Sequence, residues 1–363
     1  MKSTPLYFLL FLTGLVLYAC SEEEKEETPQ QKSLFLETTL SGEAQGTTYM
    51  VKYLNDSTNY KSEIDSILLV FDNDLSTWNQ SSLINKINAH ERTDTVFAFV
   101  DQTKNFSVVF DLSKEVYELT GGAFDPTVFP LVKLWGFGPD GPEAKDESKI
   151  DSVLRLVGMN SSNIDMIEMY QDEYFYKETQ IRKGQSGVKL DFNAIAQGYS
   201  VDLIGDFLTE KGINNYMIEI GGEVLCKGVN ADAKPWRIAI DKPLSSDVER
   251  EFQALLNVEN EAVATSGSYR KFYEKDGKRY SHAIDPKTGY PVDHNLLSAT
   301  VIAKTCAMAD AYATAFLVMG PELAVEFVDS HPELGLSIYF ILGKGEGFEV
   351  LMSADLSEKL IEL

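Results

Sequence analysis

Apolar residues recur along most of the chain at the spacings of regular structure. Alternation over residues 34–40 and 47–53 predicts two β-strands. Ile64, Ile67, Leu68 and Phe71 share one face of a helix predicted over residues 62–71. A second helix is predicted over 112–120, ended by Gly121-Gly122. A third over 193–210, capped by Asn193, carries Ile195, Tyr199, Leu203, Phe207 and Leu208 and closes at Gly212. Strands follow at 216–220 and 236–240, then a hairpin over 270–283 around Asp276-Gly277. A last helix is predicted over 305–319, stopped by Gly320-Pro321. Strands and helices mix without regular βαβ spacing, and no repeat is present. The predicted class is α+β: mixed sheets with packed helices in one large domain, a pattern that also permits two lobes.

The start of the chain has another character. Lys2 precedes an apolar stretch over residues 6–18, shorter than the ~20 residues that span a bilayer, so residues 1–19 read as a secretory signal. Leu17-Tyr18-Ala19-Cys20 resembles a bacterial lipobox, with Cys20 the residue that would carry lipid; the alternative is an ordinary cleavage site beside an incidental cysteine. The acidic run that follows cannot bury apolar surface, so residues 20–32 read as a solvated tether and 33–363 as the folded domain. The expected location is a bacterial membrane, lipid-anchored and facing the periplasm.

Charge narrows the choice of partners. The 363 residues carry 56 acidic and 32 basic side chains, a formal net charge of −24. That sign excludes a non-specific grip on nucleic acid or anionic headgroups. A phosphate-bearing substrate would have to be met by a metal ion, backbone amides or a few placed donors. Cys226 and Cys306 could pair, but their apolar surroundings favour two buried free thiols. No His-Glu-x-x-His, Cys-x-x-Cys or phosphate-loop spacing occurs. The segment 136–141 has the letters of a dinucleotide fingerprint, but Pro139 and Pro142 prevent a helix from opening there.

Four segments hold candidate chemistry. Residues 120–127 form a helix stop running into a glycine turn, either a plain cap or a ligand cradle with Phe124 or Trp135 as an aromatic face. Residues 191–199 put the amides of a capped helix start beside small Ala194 and Ala196, room for an anion. Asp310 and Thr314, four apart among alanines, stack on one helical face. A carboxylate there needs a partner: a hard cation such as Mg2+ held with the hydroxyl, an N-cap role or a salt bridge. Of the histidines, His90, His294 and His331 lie in polar, turn-like surroundings and read as solvated. His282 ends a strand before a Pro/Gly turn, where a neutral imidazole can accept a proton.

These segments stand in one order with others: Gly46-Thr47-Thr48-Tyr49; Leu75-Ser76-Thr77-Trp78-Asn79 with Ser82 and Asn88; 120–127 continuing to Leu134-Trp135-Gly136-Phe137-Gly138; and 191–199. Glu219-Ile220-Gly221-Gly222-Glu223, Ala264-Thr265-Ser266-Gly267, 281–289 and Ala309-Asp310-Ala311-Tyr312-Ala313-Thr314 complete the series. Together they resemble the FAD:protein FMN transferase family, the ApbE-like flavin transferases with their T-fold-related domain.

The resemblance implies cleavage of FAD at its pyrophosphate, attachment of FMN to a threonine or serine of an acceptor protein, and release of AMP. It implies Mg2+ held by the Asp310 and Thr314 side chains, the Ala194 carbonyl and FAD phosphates, with His282 as general base. Gln45, Trp78, Ala123, Phe124, Asp125, Asp191, Gln197 and Ala283 would border FAD, Trp78 packing on the flavin. Relatives are often lipoproteins and modify subunits of sodium-pumping quinone reductases or similar electron-transfer complexes. Gln197 stands where many members have lysine, Phe129 where glycine is frequent and Tyr312 where leucine is common. Three alternatives fit the same segments: hydrolysis of FAD to FMN and AMP, a flavin-binding lipoprotein without chemistry, and a solute-binding lipoprotein.

Overall fold

The computed structural model describes residues 35–137, 147–171, 176–243, 251–268, 272–275, 278–281, 283–345 and 347–361. The expected signal, Cys20 and the tether lie outside these residues, as does His282. Strands β1 (Glu37–Ala44) and β2 (Thr47–Leu54) form a hairpin closed by Gln45 and Gly46. Their φ angles of 53° and 75° suit a two-residue turn of the primed type, which follows the twist of its strands. That turn carries the first strand past its expected end at 40, because pairing continues until Ala44 faces Thr47.

Helices α1 (Lys61–Leu75) and α2 (Leu83–Ala89) come next, then β3 (Phe97–Phe99) and α3 (Asn105–Leu119). α3 starts well before the expected residue 112. Phe106, Val109 and Phe110 are all buried, and Asp101 Oδ2 accepts the Ser107 N–H (2.8 Å), which caps the earlier start. After α4 (Phe129–Leu134) and α5 (Ile150–Leu154), β4 (Ile164–Gln171) and β5 (Tyr176–Lys183) join β3 in a small sheet ordered β3-β5-β4. α6 (Ala196–Glu210) leads into β6 (Tyr216–Ile220), β7 (Glu223–Lys227) and β8 (Trp236–Asp241). β9 (Phe252–Val258), β10 (Glu261–Gly267) and the short hairpin β11 (Phe272–Lys275) and β12 (Lys278–Ser281) follow. The turn expected at Asp276-Gly277 lies outside the described residues. The chain ends with β13 (Leu296–Ala303), α7 (Cys306–Met319), α8 (Pro321–Ser330), β14 (Ser337–Lys344), β15 (Gly347–Met352) and β16 (Leu360–Ile361).

The main sheet has eight antiparallel strands, in the order β1-β2-β6-β7-β10-β13-β14-β15. Its strands alternate between two cores. Ile218, Ala299, Val301, Ile338 and Phe340 face a core shared with α1, α3, α6 and α7. Met217, Val224, Val263, Ile302, Tyr339 and Ile341 face a second, against Trp236, Ile238, Leu256 and Val258 of the sheet β16-β9-β8. Both faces are therefore covered, which is why β13 and β14 read as near-continuous apolar runs. Cys226 and Cys306 are both buried free thiols, as their surroundings indicated. Residues 34–363 form one compact unit. Among the described residues no helix is long and apolar enough to cross a membrane.

Candidate active site

Helices α6 and α7 meet at their first turns. A Cβ at Gly198 would stand 2.3 Å from the Cys306 carbonyl oxygen, so glycine is required for the approach. Two carboxylates then meet two helix N-termini. Asp202 of α6 accepts the N–H groups of Cys306 (2.8 Å) and Ala307 (2.9 Å) at the start of α7. Asp310 of α7 accepts the Gly198 N–H (3.1 Å) at the start of α6. Thr305 adds its own cap to α7 by accepting the Met308 N–H (3.4 Å). Each helix carries a cap for the other, on amides that would otherwise lack partners.

This arrangement corrects the expected helix start at Asn193. Asp191 Oδ1 accepts the Asn193 N–H (2.9 Å), and the Ile195 and Ala196 N–H groups both turn back to the Phe192 carbonyl (3.0 and 2.8 Å). Residues 193–195 are therefore a turn, and the ladder opens with Tyr199 N–H on the Ile195 carbonyl (3.0 Å). The Gly198 N–H, which an unbroken helix would give to the Ala194 carbonyl, goes to Asp310 instead. The Ala194 oxygen is left outside the helix ladder, on the turn that leads into α6.

Asp310 is buried, and burial pushes its carboxyl up to about 7, with Asp202 adding a like charge. Burial also raises Asp202 to about 7, its two amide donors opposing the shift. Among the described residues neither has a lysine or arginine partner, so of the roles open to Asp310 the structure shows a cap, on the neighbouring helix. One turn on, Thr314 Oγ1 lies 3.0 Å from Ser266 Oγ on β10. No group of three or more His, Cys, Asp or Glu side chains able to hold a metal occurs among the described residues. A carboxylate, a hydroxyl and a displaced carbonyl are nonetheless hard oxygen donors of the kind Mg2+ takes, with too few ligands to complete the ion without substrate.

A second set of expected residues lies on turns tied together by backbone bonds. Thr120 Oγ1 accepts the Phe124 N–H (3.2 Å), and Asp125 Oδ1 accepts both the N–H (2.8 Å) and the hydroxyl (2.6 Å) of Thr127. The Pro126 carbonyl accepts the Asp191 N–H (2.7 Å), and Asn193 Nδ2 reaches Thr77 Oγ1 (3.4 Å), next to Trp78. The Ala123–Asp125, Trp78 and Asp191–Gln197 segments are thereby one assembly. Burial raises the carboxyls of Asp125 and Asp191 to about 6 each. The Gln197 amide donates to the Ile220 carbonyl (3.0 Å) across Gly221, whose φ of 64° and lack of a side chain admit it. Gly221 N–H in turn donates to the Thr48 carbonyl (3.2 Å), which sets the Gln45 turn beside Gln197. Gln45 Nε2 is buried and has no hydrogen-bond partner among the described residues, and Trp78 is 68% exposed.

Other expectations are corrected. Phe124 and Trp135 offer no aromatic face: both rings are buried, and the Trp135 indole donates to the Gly289 carbonyl (2.7 Å). That bond draws the loop after Ala283 toward the 120–137 segment, and Ala283 itself is buried. His90, His294 and His331 are half-buried rather than solvated, each ring nitrogen near a backbone carbonyl: Thr95 (3.4 Å), Leu317 (2.9 Å) and Phe327 (2.8 Å). A cavity of about 300 Å³ lined by Thr120, Lys287, Met319, Phe327 and His331 takes in the edges of the 120–127 and 281–289 segments but none of the residues expected to border FAD or hold the metal. Asp202 and Ser266 were not among those residues. The pattern that marks Asp310, a carboxylate and a hydroxyl one turn apart, does not mark Asp202, because the residue four before it is Gly198.

Two solved structures similar to this chain are named as flavin or flavinyl transferases. Flavin transferase ApbE from Vibrio cholerae superposes with a TM-score of 0.73 at 33% identity, over 90% of this chain and 99% of that one. The apo flavinyl transferase ApbE of Pseudomonas stutzeri gives 0.74 at 30% identity, over 90% and 97%. The chain belongs to the ApbE family, whose model matches residues 45–338. Among similar curated proteins, the FAD:protein FMN transferase of Haemophilus influenzae is 35% identical over 355 residues, 96% of this chain and 95% of that protein.

Two outcomes test the geometry. Gly198→Ala forces a Cβ against the backbone of α7 and should cost roughly 1–3 kcal/mol in denaturant unfolding; full stability would mean the helices separate freely. The carboxyls of Asp202 and Asp310 sit above their unfolded value of 3.8, so the folded state holds more protons across the interval from about 4 to about 7. Stability in chelator should therefore fall as pH rises through that window. The melting temperature should drop by about 3 °C or more between pH 5 and pH 8, and Asp202→Asn should flatten the decline.

Proposed function

We propose that the protein transfers FMN from FAD to a threonine or serine hydroxyl of an acceptor protein. The acceptor oxygen bonds to the flavin-side phosphorus, the diphosphate P–O bond breaks, and AMP leaves with the electron pair. His282, by its match to the family histidine, takes the hydroxyl proton. Asp310, Thr314 and the Ala194 carbonyl would hold Mg2+, which when bound offsets charge at the diphosphate and on the departing phosphate. The observation that carries this reading is the Asp310–Gly198 hydrogen bond, because it gives to a buried carboxylate the N–H that an unbroken helix would give to the Ala194 carbonyl.

The flavin end of the substrate falls to the tied turns. Trp78 presents an exposed indole for stacking, and Gln45 presents a buried amide whose donors await an acceptor. Ala123 and Phe124 are buried and would border the ligand from beneath. Asp125 and Asp191 keep these turns in place. Cys20 would tether the domain to a bacterial membrane on the periplasmic side. There it would meet an acceptor subunit of a membrane electron-transfer complex.

Incubation with FAD and Mg2+, with and without an acceptor peptide, followed by AMP quantification and peptide mass, tests the reaction. Modified peptide with matching AMP is the expected result; AMP with unmodified peptide would make the protein an FAD hydrolase. Asp310→Ala should abolish AMP release and remove the rise in melting temperature that Mg2+ gives with FAD. His282→Ala should slow transfer by about 10²–10⁴-fold while FAD still binds, and an unchanged rate would place the base elsewhere.

A further inference from the structure

Trp78 is the most exposed of the large apolar side chains described, yet the loop beneath it is held firmly. Asn85, in the first turn of α2, aims its side-chain amide back under the loop. Its Nδ2 donates to the carbonyls of Thr77 (2.9 Å) and Asn79 (2.9 Å) and lies 3.4 Å from that of Ser76. The two hydrogens of one amide thus hold the carbonyls on either side of Trp78. The Asn85 N–H is itself fixed, donating to Ser82 Oγ (3.2 Å), the cap of α2. Asn79 extends the brace: its Oδ1 accepts the Ser81 N–H (3.1 Å), its carbonyl accepts the Ser82 N–H (2.9 Å), and its Nδ2 donates to Asn73 of α1 (3.1 Å). On the other side, Thr77 Oγ1 meets Asn193 of the turn that leads to Ala194.

We propose that Asn85 is a positioning residue for flavin binding. It sets the direction of the Trp78 indole before FAD arrives and registers that platform against the phosphate end of the site. The inference rests on the reading of Trp78 as the flavin's stacking surface. A carboxamide is needed because the three groups facing position 85 are all acceptors. Serine has one hydrogen to give, and aspartate would turn oxygens toward carbonyl oxygens. A platform fixed in advance loses less freedom when the ligand docks, so its loss weakens binding without touching the phosphoryl chemistry.

The test compares Asn85→Ala, Asn85→Asp and Asn85→Gln with Trp78→Ala and Trp78→Phe in the full protein with Mg2+. Asn85→Ala and the isosteric Asn85→Asp should each raise the KM for FAD about tenfold, the scale of one or two lost hydrogen bonds, with kcat for AMP release within about twofold. The tryptophan emission missing from Trp78→Phe should be quenched by FAD in the parent and less so in both variants. Asn85→Gln keeps both donors on a longer arm and should recover part of the KM. Parent KM and parent quenching in Asn85→Asp would overturn the proposal. Unchanged FAD binding in Trp78→Ala would instead overturn the stacking role of Trp78, and the proposal with it.

Discussion

The distance between α6 and α7 is the constraint on which the site depends. Gly198 allows the backbones to touch, and only at that separation can Asp202 reach the amides of α7 while Asp310 reaches the amide of Gly198. Alanines at 307, 309, 311, 313 and 315, all buried, keep α7 thin enough to lie against the sheet and its partner helix together. The crossing therefore fixes both the register of Asp310 and Thr314 and the free state of the Ala194 carbonyl. A larger residue at 198 would part the helices and remove all three at once.

The two ends of the site are built differently. Asp310, Thr314 and Ser266 stand on a helix and a strand inside a core covered on both faces, where side-chain positions are set by packing. The end we propose for the flavin is made of turns, which need backbone hydrogen bonds to keep their shape. Asn88 supplies one such brace by giving its Nδ2 to the Leu190 carbonyl (2.8 Å) and taking the Leu190 N–H (2.7 Å), just before Asp191. Lys183 sits fully buried beneath it, donating to the Asn88 carbonyl (3.2 Å), and burial lowers its ammonium to about 8. Glu91 offsets part of that cost, and the buried ammonium shows how much structure supports the turn.

What the chain revealed in advance was order and local pattern. Asp310 and Thr314 stood out because a carboxylate and a hydroxyl one turn apart among alanines break the logic of a buried helix. The helix expected over 305–319 and the strand at 216–220 are found as Cys306–Met319, capped by Thr305, and Tyr216–Ile220. The start of α6 misled because Asn193 is a good cap by composition, whereas the true contact is made from a residue more than a hundred positions away. The aromatic faces failed for a related reason. Phe124 and Trp135 look available in a glycine-rich stretch, but whether a ring is covered is decided by what packs on it. Half-burial of His294 and His331 likewise comes from α7 and α8 passing beside polar turns.

A net charge of −24 sets the remaining problem, since FAD brings a diphosphate to a protein already rich in anions. A lysine at the site would solve it, and the family resemblance puts one where this chain has Gln197. Here that amide is spent on the Ile220 carbonyl, so it holds structure rather than charge. What remains near the crossing is two buried carboxylates, each raised toward neutrality by lost solvation. Such a pair repels a diphosphate by itself and attracts it only through a divalent cation. The Mg2+ we propose here would then be more than an activator of the leaving group. With position 197 uncharged, it would be the main source of positive potential at the phosphate end, and substrate affinity and metal affinity would rise and fall together.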